Sequence, residues 1–332
     1  MPGRPILYLD EAAVRAAMPP VEARIELAER TMVALIADAQ LPPKLGVDAR
    51  PPGSFGHAMP AFLRGPAPDG TTDLLGLKWV VGFPANSEAG LPAIHATVIL
   101  SDPLTGQPVA ILDGAPITAD RTAAISGVAI RHWAPEPAGR AARVVILGAG
   151  VQARSHLPVI GHLLPGAEVA IYDRHQERAD TLAAAATSVA PGIGAAVAAR
   201  DPRAALRVAD VVITAVSFGD VRQTLTNDQL GPDVLVVAID YATSVHHAVA
   251  REAGLFLVDE PGQFLANRAG GLFADYPDHG GTIGLAIRDK VQRPAGGRVL
   301  VSHLGVGLAD LIFADAIVKA ARAAGLGAQL SR

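Results

Sequence analysis

The fold is decided by the stretch Val144-Val145-Ile146-Leu147-Gly148-Ala149-Gly150-Val151-Gln152-Ala153. An aliphatic run typical of a buried strand leads directly into Gly-x-Gly-x-x-Ala, the pattern of a strand-to-helix turn that binds a dinucleotide. Gly148 permits the tight turn, Gly150 lets the backbone approach a pyrophosphate, and Ala153 lets the helix pack close to the sheet. The helix N-terminus then offers unpaired N–H groups to the phosphates.

The sequence that follows has the spacing of a dinucleotide-binding unit. A helix pattern comes next, and a second strand, Glu168–Tyr172, ends at Asp173, twenty positions after Ala153. An acidic residue at this place meets the adenosine ribose hydroxyls and repels a 2′-phosphate, which predicts NAD(H) as the cofactor. Arg174 lies beside it and weakens that preference, so NADP(H) stays open.

The chain alternates strands and helices beyond this point. Strands are predicted at 144–147, 169–172, 211–215, 234–239 and 255–258. This alternation is typical of a doubly wound parallel sheet. The preceding half is rich in hairpins and favours an antiparallel or mixed sheet. We therefore predict an α/β protein with two domains: 1–125, joined by a C-terminal helix at 308–332, and 126–307.

Composition excludes several classes of protein. Half of the 332 residues are hydrophobic and 18% are charged, which supports a large core and argues against global disorder. The net charge of −4, without a basic block, argues against nucleic acid as a partner. The chain has no cysteine, and its ten histidines lack ligand spacing, so no metal site is predicted. No apolar run approaches the ~20 residues of a membrane span, and a cytoplasmic location is expected.

Basic residues occupy unusual positions in the first half. Lys78 lies inside an apolar strand, where a charge costs free energy unless it is paired. It is either an edge-strand lysine that reaches solvent or an ammonium that receives a substrate carboxylate. Arg121 is predicted to open a helix capped by Thr118, where the helix dipole does not favour a cation. It is either exposed or a planar fork for a carboxylate or phosphate. Lys44 and His57 give weaker signals of the same kind.

The strand ends of the second half supply further candidates. Asp240 follows the strand at 234–239, and Thr214, Ala215 and Ser217 lie at the end of the preceding strand. In an open parallel sheet, residues just past the strand C-termini line the ligand crevice. A carboxylate there can act as a general acid or base. The alternative for Asp240 is a helix cap or a turn residue.

Four blocks of sequence point in one direction. They are Gly76-Leu77-Lys78-Trp79-Val80-Val81-Gly82-Phe83-Pro84-Ala85-Asn86 with Gly90-Leu91-Pro92, then Thr118-Ala119-Asp120-Arg121-Thr122-Ala123-Ala124, Gly148-Ala149-Gly150-Val151-Gln152-Ala153 and Gly305-Val306-Gly307-Leu308-Ala309-Asp310. Together they resemble the ornithine cyclodeaminase/mu-crystallin family over nearly the whole chain, in the family's order and spacing. The resemblance implies a Rossmann domain and a substrate domain that forms a homodimer through its sheet.

The resemblance also implies roles for individual residues. In enzymes of this family the residues matching Lys78 and Arg121 hold the substrate α-carboxylate, and a basic residue near Lys44 assists. The residue matching Asp240 acts on the amine or on water, and Asp173 matches the acidic position of NAD-using members. The expected catalytic residues are Lys78 and Asp240; the expected substrate-binding residues are Lys44, His57, Lys78 and Arg121; the expected cofactor-binding residues are Arg121, Gly148, Gly150, Val151, Gln152, Asp173, Arg174, Ala215, Ser217 and His303.

Three departures from the family pattern narrow the expected chemistry. Cyclodeaminases resemble one another in a Glu that meets the distal amine of the substrate, where this chain has His57. The segment at 241–247 lacks the usual Lys and Glu, and His303 stands where a Ser usually precedes the tail glycine. The site therefore lacks the expected anion for an ornithine or lysine ammonium.

The predicted function is NAD(H)-dependent interconversion of an α-amino acid and its imino or 2-oxo acid by hydride transfer at Cα. The carboxylate clamp is expected to turn Cα towards nicotinamide C4, because such positioning makes hydride transfer efficient. One alternative is a cyclodeaminase of the ornithine or lysine type that recycles NAD internally. Another is a binding protein without turnover, similar to the crystallin branch. The predicted partners are a small amino or imino acid and a second copy of the chain.

Overall fold

The computed structural model describes residues 5–217 and 222–331. The chain divides into two compact units, the first made of Met1–Arg121 with Gly305–Arg332 and the second of Thr122–Leu304. The divisions expected from the sequence, 125/126 and 307/308, lie a few residues further along. No helix within the described part of the chain is both long and apolar enough to cross a membrane.

The described elements are as follows. The α-helices are α1 (Glu11–Ala16), α2 (Val21–Ala34), α3 (Gly114–Trp133), α4 (Val151–Leu163), α5 (Gln176–Val189), α6 (Arg203–Leu206), α7 (His247–Glu252), α8 (Pro261–Ala269), α9 (Ile283–Arg288) and α10 (Gly307–Ala324). The strands are β1 (Ile6–Leu9), β2 (Ala39–Gln40), β3 (Leu45–Ala49), β4 (Ser54–Leu63), β5 (Leu74–Gly82), β6 (Ile94–Ser101), β7 (Pro108–Asp113), β8 (Arg143–Leu147), β9 (Glu168–Tyr172), β10 (Ala195–Ala198), β11 (Val211–Thr214), β12 (Leu235–Ala238), β13 (Leu255–Val258), β14 (Gly281–Thr282), β15 (Val299–Ser302) and β16 (Ala328–Leu330).

The first unit is built on a mixed sheet in the order β16-β1-β7-β6-β5-β4-β2, with β3 also paired to β4. Strands β1 and β7 are parallel, whereas the hairpin neighbours β4, β5, β6 and β7 run antiparallel. Helix α10 packs against β4, β5 and β6. The approach is close because Gly307 lacks a Cβ, which would lie 2.6 Å from the Met59 carbonyl oxygen. Burial of the apolar residues of α10, such as Leu308 and Leu311, stabilises this packing.

The second unit is a parallel sheet in the order β10-β9-β8-β11-β12-β15-β13-β14. Strands β11, β12 and β15 are buried along their whole length, as expected for a sheet covered on both faces. The strand order reverses between β8 and β11, which is the topological switch point of doubly wound folds. The predicted fold class, a doubly wound parallel sheet plus a mixed-sheet domain, is confirmed.

Helix α3 begins earlier than the sequence predicted, which corrects the placement of two residues. The Oδ1 atom of Asp113 accepts a hydrogen bond from the N–H of Ala115 at 2.8 Å, so Asp113 is the capping side chain and Thr118 is not. Pro116 is compatible with a first turn because the N–H groups there have no intrahelical partner. Arg121 therefore lies in the middle of the helix and does not open it.

Most of the strands that the sequence did not predict are short or exposed. Strand β3 is exposed along most of its length and carries little hydrophobic pattern, and β2, β10, β14 and β16 span at most four residues each. Helix α2 ends at Ala34, and Ala39 and Gln40 pair with Leu63 and Phe62 at the edge of the sheet.

Candidate functional site

Strand register places Lys78 and His57 on the same face of the first unit's sheet. Lys78 and Val80 alternate onto the same side of β5. Across the β4–β5 ladder, Met59 is opposite Lys78 and His57 is opposite Val80. Lys78 has only 1% of its surface exposed, and β5 is paired on both sides. The alternative of an edge-strand lysine that reaches solvent is therefore wrong.

Lys78, Arg121 and Asp310 form a buried ionic group, which we call the cationic cluster. The Lys78 Nζ lies 2.7 Å from Asp310 Oδ2, and the Arg121 Nε lies 3.1 Å from Asp310 Oδ1. The Lys78 Nζ is also 3.5 Å from the Thr118 Oγ1, one turn before Arg121 on α3. Two cations share one carboxylate, so the cluster carries a net charge of +1 when all three groups are ionised.

The protonation of the cluster reflects its burial. Burial lowers the pKa of Lys78 to about 7; the Asp310 charge opposes this shift and the Arg121 charge adds to it. Burial alone would raise the pKa of Asp310, but Arg121 and Lys78 outweigh it and hold that pKa below its ordinary value. Lys78 is thus poised between its charged and neutral forms near neutral pH, while Asp310 stays ionised.

Lys44 and His57 lie close enough to influence the cluster. Lys44 is half-buried immediately before β3, and its charge contributes to lowering the pKa of both His57 and Lys78. Burial is the main cause of the lowered pKa of His57, followed by the charges of Lys44 and Lys78. The structure therefore brings all four predicted substrate-binding residues, Lys44, His57, Lys78 and Arg121, into one region of the first unit.

Asp310 is a site residue to which the sequence reasoning assigned no role. It lies in the first turn of α10 and is completely buried, where a negative charge also suits the helix dipole. Its partner Arg121 is 189 positions away in sequence, so no local spacing could reveal the pair. The available signal was a carboxylate inside the apolar first half of the helix, 307–314, which needs a buried cation.

In the second unit, the glycine turn has the geometry expected for a pyrophosphate. Gly148 has φ +108°, and a Cβ there would lie 2.4 Å from the Ala215 carbonyl oxygen. At Gly150, by contrast, an added Cβ meets nothing within 4 Å. Helix α4 begins after Gly150 without a side-chain cap, and Val151 is 70% exposed. The turn thus leaves open space beside the unsatisfied N–H groups of a helix N-terminus, which fits a dinucleotide phosphate.

The acidic residue at the end of β9 supports this turn directly. Asp173 accepts hydrogen bonds from the N–H of Ala149 at 2.8 Å and from the N–H of His175 at 2.9 Å. Arg174 beside it is exposed. At the end of β11, Ala215 is half-buried and Ser217 is exposed. These predicted cofactor residues all lie at the carboxyl edge of the parallel sheet.

Asp240 lies just past β12 and is 1% exposed. Its Oδ1 accepts a hydrogen bond from the Thr214 hydroxyl at 2.8 Å, and its Oδ2 accepts one from the Ser244 hydroxyl at 2.6 Å. Burial raises the pKa of Asp240. The two hydrogen bonds lower that pKa, but their effect is smaller than that of burial. The next residue, Tyr241, has φ +58°, a conformation that costs free energy outside glycine. Such strain is often found where a functional side chain is held in place.

His303 follows β15 and is almost completely buried. Its Nε2 lies 2.9 Å from the Ser126 Oγ, which is 2.8 Å from the His156 Nε2. The Nδ1 of His156 in turn lies 2.6 Å from the carbonyl oxygen of Gln152. Neither Ser126 nor His156 was among the predicted site residues. Among residues 5–217 and 222–331 no group of metal-ligating side chains occurs.

Comparisons with known proteins identify the family of the chain. The model of the ornithine cyclodeaminase/mu-crystallin family matches residues 11–263. The chain belongs to this family. The family resemblance predicted from the sequence is thereby confirmed; the match includes the first three sequence blocks, and the fourth, 305–310, lies beyond it.

Two relatives and one solved structure illustrate the match. The nodulation efficiency protein NfeD of Rhizobium meliloti is 30% identical over 297 residues, 87% of each chain. A Δ1-pyrroline-2-carboxylate reductase of Bacillus cereus is 27% identical over 77% of this chain and 80% of its own. The structure of the Thermococcus litoralis Δ1-pyrroline-2-carboxylate reductase with NADH and L-proline has a TM-score of 0.83 at 22% identity, covering 97% of this chain and 99% of that one.

Proposed function

We propose that this protein is an NAD(H)-dependent oxidoreductase that interconverts an α-amino acid and its imino or 2-oxo acid by hydride transfer at Cα. The observation that carries the proposal is the cationic cluster, a buried net positive charge in a chain that also has an open dinucleotide turn. Reductases of a cyclic imino acid among its relatives support the same class. This reaction would use both the cationic cluster of the first unit and the glycine turn of the second.

The cationic cluster would bind the substrate carboxylate. Asp310 binds the Nε of Arg121 and the Nζ of Lys78, so the terminal guanidinium nitrogens of Arg121 are the fork that pairs with a carboxylate. The surplus positive charge stabilises the bound anion, because the side chains of the cluster are buried and charges interact more strongly there than in bulk water. Lys44 adds long-range attraction for the same anion.

The glycine turn and the residues around it would hold the cofactor. The helix N-terminus after Gly150 would receive the pyrophosphate, and Asp173 would receive the adenosine ribose. When bound, the nicotinamide supplies the acceptor or donor of hydride. We propose NAD(H) over NADP(H) because the Asp173 carboxylate repels a 2′-phosphate, although the exposed Arg174 lessens the difference.

Asp240 moves the proton that the reaction requires at nitrogen or water. Its raised pKa brings the carboxyl closer to neutral pH, where a general acid or base is most effective. The Thr214 and Ser244 hydroxyls fix its orientation. Asp240 would take a proton from the amine in oxidation and return it in reduction.

The surroundings of His57 favour a dehydrogenase or imine reductase over a cyclodeaminase. A cyclodeaminase must hold the distal ammonium of its substrate, and a carboxylate serves that purpose. Here His57 lies near the charges of Lys44 and Lys78, which lower its pKa in addition to the effect of burial. A second ammonium would meet repulsion in this cationic environment.

We also propose that the protein is a cytoplasmic homodimer associated through the sheet of the first unit. Strand register places Leu45 and Trp79 opposite Ala58, on the face away from Lys78, and Val47 lies on the same side. The exposed fraction is 64% for Leu45, 59% for Val47 and 40% for Trp79. Contiguous exposed apolar surface of this kind marks an interaction site.

The decisive experiment separates substrate chemistry from cofactor binding. We expect Lys78→Ala and Asp240→Ala each to lower kcat/KM by about a hundredfold or more, because misplacement of substrate or proton costs on that order. Turnover is followed as NADH oxidation with 2-oxo acids plus ammonia and with cyclic imino acids, and NADH affinity by fluorescence. NADH affinity should stay within about twofold.

Lys319→Ala is the matched control, because Lys319 lies on the exposed side of α10 in an ion pair with Asp315. The Lys78→Ala protein keeps the Asp310–Arg121 pair, so its buried charges remain balanced. Wild-type turnover in both site variants would refute the assigned roles. Release of ammonia from ornithine without net NADH change would assign the cyclodeaminase reaction.

A further inference from the structure

A hydrogen-bonded chain crosses the interior of the second unit. It links the carbonyl of Gln152, the ring of His156, the hydroxyl of Ser126 and the ring of His303, with donor–acceptor distances of 2.6, 2.8 and 2.9 Å. Ser126 and His156 have no exposed surface, and His303 has 1%. One end of the chain is the first turn of α4, and the other is the carboxyl end of β15.

The direction of each hydrogen bond follows from the groups involved. A carbonyl oxygen only accepts, so the Nδ1 of His156 carries the hydrogen that it donates to Gln152. Burial lowers the pKa of His156 to about 4, so its ring is neutral and its Nε2 is an acceptor. The Ser126 hydroxyl must then donate to His156. Because that hydroxyl has only one hydrogen, its oxygen accepts from the Nε2–H of His303.

We propose that Ser126 and His156 are positioning residues that fix His303 as the Nε2–H tautomer, so that its Nδ1 accepts a hydrogen bond from the carboxamide NH2 of nicotinamide. The inference rests on the proposed binding of NAD(H). A neutral imidazole has one donor and one acceptor nitrogen, and the partner of one nitrogen decides the role of the other. The chain thereby determines which chemical group the ring can recognise.

The strand order supports the identity of that group. A dinucleotide lies across the crevice where the strand order reverses, with one nucleotide on either side. Asp173, the ribose-binding candidate, follows β9 on one side of β8. On the other side the sheet continues through β11, β12 and β15, and the N–H of His303 donates to the carbonyl of Ala238 at the end of β12. The nicotinamide half therefore extends towards the edge where Asp240 and His303 lie.

The first test needs no variant and no turnover. Long-range 1H–15N spectra of the cofactor-free, 15N-labelled protein distinguish the histidine tautomers, with assignments from His156→Gln and His303→Gln. We expect Nδ1–H for His156 and Nε2–H for His303, and a change in the His303 Nδ1 shift when NADH is added. A His303 ring that carries hydrogen on Nδ1, or an unchanged shift with NADH bound, would overturn the proposal.

The second test removes the Ser126 hydroxyl, which links the two histidine rings. Ser126→Ala should shift His303 towards a mixture of tautomers and weaken NADH binding about fivefold, the value of one ordinary hydrogen bond. Ser155→Ala is the matched control, because the Ser155 hydroxyl donates to the same Gln152 carbonyl at 2.9 Å but is not one of the groups that link the two histidines.

The outcomes of this test separate the inference from the proposed function. Unchanged tautomer and affinity in Ser126→Ala contradict the inference. If that variant does not fold, the wild-type spectra decide. A protein that binds no NADH at all refutes the cofactor proposal, and this inference with it, whereas normal NADH binding with the wrong tautomer refutes only the inference.

Discussion

The cationic cluster of the first unit and the glycine turn of the second attract anions by different means. In the first unit the cationic cluster collects three ionised side chains from β5, α3 and α10, and it keeps a net positive charge. In the second unit the glycine turn uses backbone N–H groups, and the chain from Gln152 to His303 consists of a carbonyl, a hydroxyl and two imidazole rings. An anion bound by side-chain charge depends on the balance of those charges, whereas one bound by the backbone depends on the absence of side chains.

This difference predicts which substitutions each unit tolerates. A cluster of charges fails when its shared counter-ion is lost, since a remaining ion then stays buried without compensation. A backbone site fails when a side chain is added, since the added atoms occupy the space of the ligand or of the turn itself. The following predictions test that distinction, beginning with the largest expected effect.

Removal of the shared carboxylate should have the largest effect. We expect Asp310→Asn to lower the free energy of unfolding by about 3–5 kcal/mol, because Arg121 would remain as a buried cation without a counter-charge and Lys78 could stay buried only by losing its proton. Urea denaturation followed by circular dichroism at pH 7 measures the change. Asn has nearly the same volume, so lost packing contributes little.

The same helix offers a matched control. Asp315 forms a 2.7 Å ion pair with Lys319 on the surface of α10, and Asp315→Asn should change stability by no more than about 0.5 kcal/mol. Equal effects of the two substitutions would mean that the cationic cluster contributes no more than a surface pair. The distinction between the two units would then lose its energetic basis.

The same difference explains what could be predicted from the sequence. The glycine turn is local, so its strand, helix and Asp173 follow from spacing alone. Lys78 stood out because a cation in an apolar strand is costly. Its counter-ion Asp310 did not, because the fold alone brings such distant positions together. Ser126 escaped prediction for another reason: a small hydroxyl in an apolar helix shows its role only when the rings on both sides are in place.

The start of α3 shows a limit of a different kind. Gly114 and Pro116 argue against a helix when read as propensities, but a first turn tolerates both. The sequence therefore placed Arg121 at a helix end, whereas it lies in the helix middle. There the side chain is held against Asp310 and the bare backbone of Gly305, where a Cβ would come within 2.7 Å of the Arg121 Nη1.

A pair of glycine substitutions tests the second unit. Gly148→Ala should destabilise the protein by about 1–3 kcal/mol, because a side chain is strained at φ +108° and its Cβ would meet the Ala215 carbonyl oxygen. Gly150→Ala should leave stability nearly unchanged, since its φ is −86° and the added Cβ meets no protein atom within 4 Å. It should instead weaken NADH binding about tenfold, because the methyl occupies space proposed for the pyrophosphate.

Thermal denaturation and NADH fluorescence titration of the two variants separate these effects. Each variant serves as the control for the other, since both add the same methyl group two residues apart. A Gly150→Ala protein that binds NADH like the wild type would show that the open side of the turn does not face the phosphates.

Because of the cationic cluster, a rise in pH is expected to weaken carboxylate binding and to increase the stability of the fold. The proposed carboxylate binding needs the charged form of Lys78, so above the pKa of about 7 the affinity for the amino acid that supports turnover, measured with NADH present, should fall up to about tenfold per pH unit. Folding responds the other way. The folded-state pKa lies below the ordinary 10.5, so between pH 7 and 10.5 the unfolded chain binds more protons and stability rises with pH.

Lys78→Met isolates both effects, because it keeps the apolar stem and removes the titrating group. The difference between wild type and this variant should show stability increasing by at most about 1.4 kcal/mol per pH unit above pH ~7, while the wild-type affinity for the amino acid decreases over the same range. If both quantities changed in the same direction, the group that controls carboxylate binding would not be the buried lysine. The positive charge that binds the carboxylate would then have to come from Arg121 and Lys44 alone.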